Sequence, residues 1–292
     1  MKKIILLFCI ATICSVLHSQ PYLDLVKIDY TYSPLKGINE KANPLQSNYL
    51  NANINLPIEL KKGGDAIILN PFFENKEGKV STNDFHVMSE GALLGFLKRD
   101  IIKNWNLLAG FIVRQNTEAG QNLQDDWQYG GVLLSTWKKT QNLSFKFGLY
   151  YNKEFFGNYF MALVGIDWQI NPKTNLFGVL PGSMTLDHRT SERFHYGFTF
   201  RALTNSYRLQ TENACAEGDC TAKNYLRIDD NQLGIFGDVY LSKKIVLTGE
   251  TGYTILRRYR YGFKGETAND KTDYKADNFY FRASLAYRFW LR

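Results

Sequence analysis

The sequence predicts an all-β, transmembrane, antiparallel up-and-down β-barrel. Three observations carry that reading: alternation of period two, the length of the segments that show it, and connections that switch between short and long. Residues 50–60, LNANINLPIEL, put Leu50, Ala52, Ile54, Leu56, Ile58 and Leu60 on one parity and Asn51, Asn53, Asn55 and Glu59 on the other. Successive side chains of a strand point to opposite faces, so one face here is apolar and the other wet. FKFGLYYN sets Phe145, Phe147, Leu149 and Tyr151 against Lys146, Gly148 and Asn152. FMALVGIDWQI sets Phe160, Ala162, Val164, Ile166, Trp168 and Ile170 against Gly165, Asp167 and Gln169. RFHYGFTFRA and FYFRASLAYRF repeat the pattern, the latter with Phe279, Phe281, Ala283, Leu285, Tyr287 and Phe289 opposite Arg282, Ser284 and Arg288.

A soluble sandwich packs such apolar faces together, whereas a membrane barrel turns them to lipid around a polar interior. Segments of ten residues or more fit a tilted membrane crossing better than a typical soluble strand. Charged residues in mid-strand on the polar parity fit a wet or ion-paired lumen. Beyond the N-terminus no long apolar run occurs, and the mean hydropathy is −0.30.

Residues 1–19 read as a cleaved secretory signal, with Lys2 and Lys3, an apolar run from Ile4 to Leu17, and Ser19 before the cut. Residues 20–292 then form one barrel domain in the cell outer membrane. Bulky Ile13 before Cys14 argues against lipidation. Cys215 and Cys220, in NACAEGDCTA, are separated by four residues that include the turn-forming Gly218 and Asp219. In an oxidising compartment they read as a small loop disulfide. The formal net charge of +7, less Lys2 and Lys3, is +5. That is mild and unclustered, so it gives no reason to expect nucleic acid. No metal-ligand spacing occurs, and GGVLLS and GETGYT lack phosphate-loop spacing, so no cofactor is expected.

Connections at 61–65, 98–104, 138–142 and 171–175 are short, and those at 74–84, 114–126, 211–223 and 264–273 are long. Short periplasmic turns and longer outer loops are the rule for outer-membrane barrels. On that topology Trp105, Trp137, Trp168 and Trp290 fall at periplasmic strand ends and Trp127 at an outer end, as an interfacial girdle requires. The stretch NLFGVLPGSMTLDHR forms either an up-and-down pair broken at Pro181-Gly182, for fourteen strands, or a segment across the rim, for twelve. Fourteen is the expectation; either even count closes the sheet. Pro57 lies within a strand, where it removes a ladder bond, near enough to the KKGG turn to be tolerated.

The stretch LFGVLPGSMTLDHRTSERFHYGFTFRALTNSYRL, the signal ending HSQ and the aromatic finish AYRFW resemble uncharacterised outer-membrane β-barrel proteins of Gram-negative bacteria. Those families are labelled domain of unknown function and treated as porin-like or transporter-like. The resemblance implies location and fold rather than an activity. Leu285, Tyr287 and Phe289 also look like the terminal signal read by barrel-assembly machinery, although Trp290, Leu291 and Arg292 follow the expected last aromatic.

The functional expectation is a channel or transporter for small solutes with a mixed-charge lumen tilted towards basic. Its candidate lumen residues are Arg193, His195, Arg201, Arg258, Arg282 and Arg288, with Asp167, Asp238 and Glu250 on the same faces. Rings of arginine can select anions, pointing to a small anionic solute, while both signs together equally suit ion pairs that seal a narrow barrel. Other expected partners are membrane lipid and lipopolysaccharide. One alternative is a non-conducting structural or docking barrel, presenting LRRYRYGF (256–263) or FFGNYF (155–160) outside. A further alternative is a barrel hydrolase, with Ser183, Ser191, Asp187-His188, His195 and the pairs Asp125-Asp126 and Asp229-Asp230 as candidates. No pair has triad spacing, and a non-enzyme is expected.

Overall fold

The computed structural model describes residues 21–34, 45–60, 64–81, 83–121, 126–209, 225–262 and 272–291. The signal and the Cys215–Cys220 loop lie outside them. Among the described residues every element is a β-strand. The first seven are β1 (Tyr22–Ser33), β2 (Leu45–Ile54), β3 (Leu56–Glu59), β4 (Ala66–Val80), β5 (Asn83–Ile102), β6 (Trp105–Glu118) and β7 (Trp127–Lys138). Then follow β8 (Leu143–Glu154), β9 (Gly157–Asn171), β10 (Thr174–Leu180), β11 (Ser183–Arg189) and β12 (Phe194–Arg208). The last are β13 (Tyr225–Tyr240), β14 (Ile245–Gly262), β15 (Thr272–Lys275) and β16 (Phe279–Trp290).

Neighbouring strands around the wall pair antiparallel, and β1 pairs β16 from Tyr22↔Trp290 to Tyr32↔Phe281, which closes the sheet. β2 and β3 pair successive parts of β4, and β15 and β16 successive parts of β14, so the sixteen segments make a barrel of fourteen strands. The hairpin turned at Pro181-Gly182 supplies two of them, as β10 and β11. Pro57 sits in β3, which is laddered to β4 alone. Its missing N–H therefore deprives no second strand.

The expected parity holds through the membrane band. Leu50, Phe96, Phe111, Phe147, Val164, Phe198, Ile235 and Leu285 face out and are exposed, whereas Lys146, Asp167, His195, Asp238, Arg282 and Arg288 face in and are buried. With no water in hydrocarbon, such a wall must satisfy its own backbone groups, which closure achieves. At the periplasmic end, Asp65 ties the β3–β4 turn to β5 by accepting from Arg99 N–H at 2.9 Å and Lys98 Nζ at 2.6 Å. The Arg99 amide, then the Lys98 ammonium, hold its carboxyl below the usual carboxylate range.

Two expectations about loops are corrected. Residues 74–84 are not a long loop, because β4 runs to Val80 and β5 starts at Asn83, paired as Val80↔Asn83 across a tight turn. Residues 114–118 likewise belong to β6. These extensions carry the sheet past the membrane, and there the pattern inverts. Gln46, Glu77, Lys79, Asp84 and His86 face outward, while Leu45, Val80, Phe85 and Val87 face inward and are fully buried or nearly so. Below the switch the barrel is apolar outside; above it the walls resemble the two sheets of a soluble sandwich.

Replacing Leu285, in mid-band on the lipid face, by Arg is expected to cost about 2–4 kcal/mol of stability in liposomes. Gln46→Arg, above the switch, should stay within about 0.5 kcal/mol. Urea unfolding of the refolded variants measures both, and equal losses would show that the apolar band is drawn in the wrong place.

Candidate functional site: the lumen

The lumen is occupied in three tiers, each built by strand parity from opposite walls. At the periplasmic end is an aromatic floor. Tyr22 meets Phe177 edge-on at 5.4 Å and Trp290 at 5.7 Å, and Trp290 stacks on Tyr240 at 5.6 Å. His195 lies against Tyr240 at 4.8 Å, with its Nδ1 3.4 Å from the Asp187 carboxylate.

Above the floor lies a belt of ion pairs. Arg288 donates to Asp24 at 2.6 Å, to Asp238, and to the Tyr240 hydroxyl at 3.0 Å, with its guanidinium over the Tyr22 ring at 3.6 Å. Arg201 grips Glu250 through two bonds of 2.6 and 2.8 Å. Glu250 also accepts from Tyr280 OH at 2.7 Å and Arg282 at 3.1 Å. Arg282 continues to Gln232 at 2.6 Å and to Thr31 on β1 at 2.8 Å. Gly234 makes this knot possible, because a Cβ there would collide with the Tyr280 hydroxyl. Lys146 pairs with Asp167 at 2.8 Å. On the far wall Arg114 donates to Gln128 at 2.8 Å, to Asn205 at 2.9 Å, and to the buried Glu154.

The top tier is an apolar cap. Leu45, Val80, Phe85 and Val87, from β2, β4 and β5, pack against Tyr207, Leu226, Ile228 and Tyr259, from β12, β13 and β14. These two groups stand on opposite sides of the barrel, yet Phe85 and Tyr259 are 5.2 Å apart. The end of β12 crosses the lumen: Arg208 pairs with Thr117 of β6, and Asn116 donates to the Ser206 carbonyl at 2.9 Å. Burial of large apolar side chains holds the mouth shut, at roughly 1.5–3 kcal/mol each.

A family model matches residues 75–288, from β4 to β16. The chain belongs to DUF6268, a domain of unknown function. No curated protein matches it. Among solved structures, the NanC porin is similar at 7% identity, covering 90% of this chain and 98% of that one, with a TM-score of 0.39. The KdgM porin in complex with disordered oligogalacturonate has 10% identity, coverage of 90% and 99%, and a TM-score of 0.38. A mutant of the TodX monoaromatic hydrocarbon channel has 10% identity, coverage of 90% and 89%, and a TM-score of 0.41. Superpositions this loose bear on neither cargo nor mechanism.

The lumen gathers His195, Arg201, Arg282, Arg288, Asp167, Asp238 and Glu250 as the polar parity requires. Arg193 is not among them: it lies in the exposed turn before β12, where no ladder sets its direction. Arg258 is not either. A β-bulge between Asp229 and Asn231 sets Ile255 and Leu256 outward in succession, Leu256 with φ +58°, and so reverses the parity of the rest of β14. Arg257 therefore enters the lumen, bonding Asp230 at 2.8 and 3.0 Å, while Arg258 turns out to Asp273 at 3.1 Å. Trp105 and Trp137 stack on the outer face at the periplasmic end, and Trp168 and Trp127 are exposed there and at the outer end respectively. Trp290 departs from the girdle, because it faces the floor.

Six lumen cations are paired with carboxylates. Arg201, Arg282, Arg288, Arg257, Arg114 and Lys146 are each held by Glu250, Asp24, Asp238, Asp230, Glu154 or Asp167. Glu250→Ala, which strands Arg201 and Arg282, is expected to cost about 3–5 kcal/mol. Arg258→Gln, which breaks only the outer Asp273 pair, should cost under about 1 kcal/mol. Chemical denaturation of both variants measures the contrast.

Proposed function

We propose that the protein is an outer-membrane channel for small polar solutes whose resting state is closed by the apolar cap. The observation that carries this reading is the filling of the lumen. Eight strands suffice for an interior that side chains can fill, and this barrel has fourteen. The extra circumference encloses groups that can part, namely ion pairs and hydroxyls around a cavity of about 200 Å³, instead of a solid apolar core. The cap is a tier of apolar contacts between facing walls, so it is the natural gate.

Paired charges of both signs leave no ring of unpaired arginines, so an open pore is expected to discriminate weakly between anions and cations. A non-conducting barrel is the second reading, favoured by the same dense pairing. The two separate in a planar bilayer. Tyr207→Ala removes a fully buried cap ring, a change worth about 3–5 kcal/mol in a core. The channel reading expects its open probability to rise at least about tenfold over the parent, since about 1.4 kcal/mol already gives that factor, with a near-zero reversal potential in a salt gradient. A folded variant that stays silent would establish the non-conducting barrel.

A further inference from the structure

Among the described residues, the ladder between neighbouring strands is interrupted above the β10–β11 hairpin. β10 and β11 are 7 residues each, against 15 for the flanking β9 and β12. Pairing of β9 with β10 ends at Val164↔Leu180, and that of β11 with β12 at Ser183↔Arg201, followed by a last bond from Ala202 N–H to the Gly182 carbonyl at 2.9 Å. Seven residues of tilted strand rise about 18 Å, short of the apolar band of about 25 Å that a barrel wall presents. The hairpin therefore stops within the outer leaflet.

Above it, β9 from Gly157 to Leu163 is laddered to β8 alone, and β12 leans inward on its way to β6. The opening is closed at the top, where Ser206 Oγ accepts from Phe155 N–H at 2.9 Å, Ser206 N–H donates to Glu154 at 3.1 Å, and Arg227 lies over the Phe156 ring at 4.0 Å. Between these limits no ladder joins β9 to β12, and the gap is a window bordered by Met161 and Leu163 of β9 and Leu203 of β12, on the inward parity of their strands, with Leu180 on the sill. Leu163 is 8% exposed, whereas Val164 beside it, on the lipid face, is 55% exposed. Parting two laddered strands breaks backbone bonds, which hydrocarbon cannot replace. Opening this window breaks no ladder bond between β9 and β12.

The cavity of about 200 Å³ reaches the sill, because its lining includes Phe177, Ser183, Thr185, Thr199 and Arg201. Its charged lining is Lys27, Arg201 and Arg288 against Asp24, Asp238 and Glu250, three of each sign and no net charge. An uncharged head bearing hydroxyls suits such a pocket, and a hydrocarbon tail suits the apolar border of the window. We propose that the window is a lateral port that takes an amphiphile with an uncharged hydroxylated head, its head in the cavity and its tail passing between Leu163 and Leu203 into the outer leaflet. The proposal rests on the channel reading for the route into the lumen, but its binding site stands apart from the cap.

The test uses the full chain refolded in phosphatidylcholine vesicles with a photoactivatable diazirine-bearing monododecanoyl glycerol. Labelling is expected on the segments holding Leu163, Leu180 and Leu203, reduced at least fivefold by excess unlabelled monododecanoyl glycerol. Dodecanoate and dodecyltrimethylammonium should compete much less. Leu163→Trp and, separately, Leu203→Trp, each checked for heat-modifiable gel mobility, should lose the competed labelling. Labelling spread evenly over the lipid face without competition would overturn the port, as would competed labelling untouched by both tryptophans. Equal competition by dodecanoate would overturn the uncharged head. A silent Tyr207→Ala bilayer beside competed window labelling would defeat the channel reading alone, and a conducting one beside even labelling would defeat the port alone.

Discussion

Backbone amides and carbonyls inside hydrocarbon can bond only to one another, and the rest of this structure follows from that constraint. It forces β1 onto β16, leaving no free edge, and it fixes one face of each strand for lipid. The other face is driven inward whatever its chemistry. Arginines, lysines and carboxylates that would be solvated on a soluble sheet must here find each other across the lumen. The Arg201–Glu250–Arg282 knot is the outcome, with Tyr280 and Gln232 taking up the remaining capacity. Such pairs add little net stability over apolar packing, but removing one member leaves its partner charged and buried.

Where the sheet leaves the membrane the constraint lifts and the ordinary rule returns. Water then covers the outer face and apolar side chains turn in, so β2, β4 and β5 close on β12, β13 and β14. One set of strands therefore serves as membrane wall below and as sandwich above. The closed mouth is a consequence of that change of solvent and needs no separate plug domain. The short β10–β11 hairpin is the exception in the wall, and the inward lean of β12 that builds the cap also strips β9 of a neighbour. Cap and window are two results of one bend.

The barrel and its closure were legible because alternation over ten residues or more leaves a mark that neither composition nor loop length can hide, whereas the count of fourteen hung on the seven-residue strands β10 and β11, too short to leave that mark. FKFGLYYN and FYFRASLAYRF fold with the faces their parity assigns. The cap was not legible. In KVSTNDFHVM the pattern Phe85, Val87 against Asp84, His86 is the same whichever face turns inward, and the run Ser81-Thr82-Asn83-Asp84 reads as loop. Only the polar company of Glu77, Lys79 and His86 on the opposite parity hinted that water lay outside. Arg257 escaped because a bulge at Ile255–Leu256 reverses parity without any glycine or proline to announce it. Arg114 escaped because it begins the polar run RQNTE, which continues β6 beyond the membrane.

The account stands or falls on whether the cap seals the lumen from outside. Ser89 faces inward beneath the cap and is 1% exposed. The direct measurement places a single cysteine there, Ser89→Cys, with Cys9, Cys14, Cys215 and Cys220 replaced by serine, and adds a charged, membrane-impermeant maleimide from the outer side. The account predicts that this thiol stays unlabelled in the folded barrel and reacts fully after unfolding, while Asn48→Cys on the outer face above the band reacts at once. Prompt labelling at position 89 in the folded protein would mean an open, wet mouth, and would contradict the closed lumen.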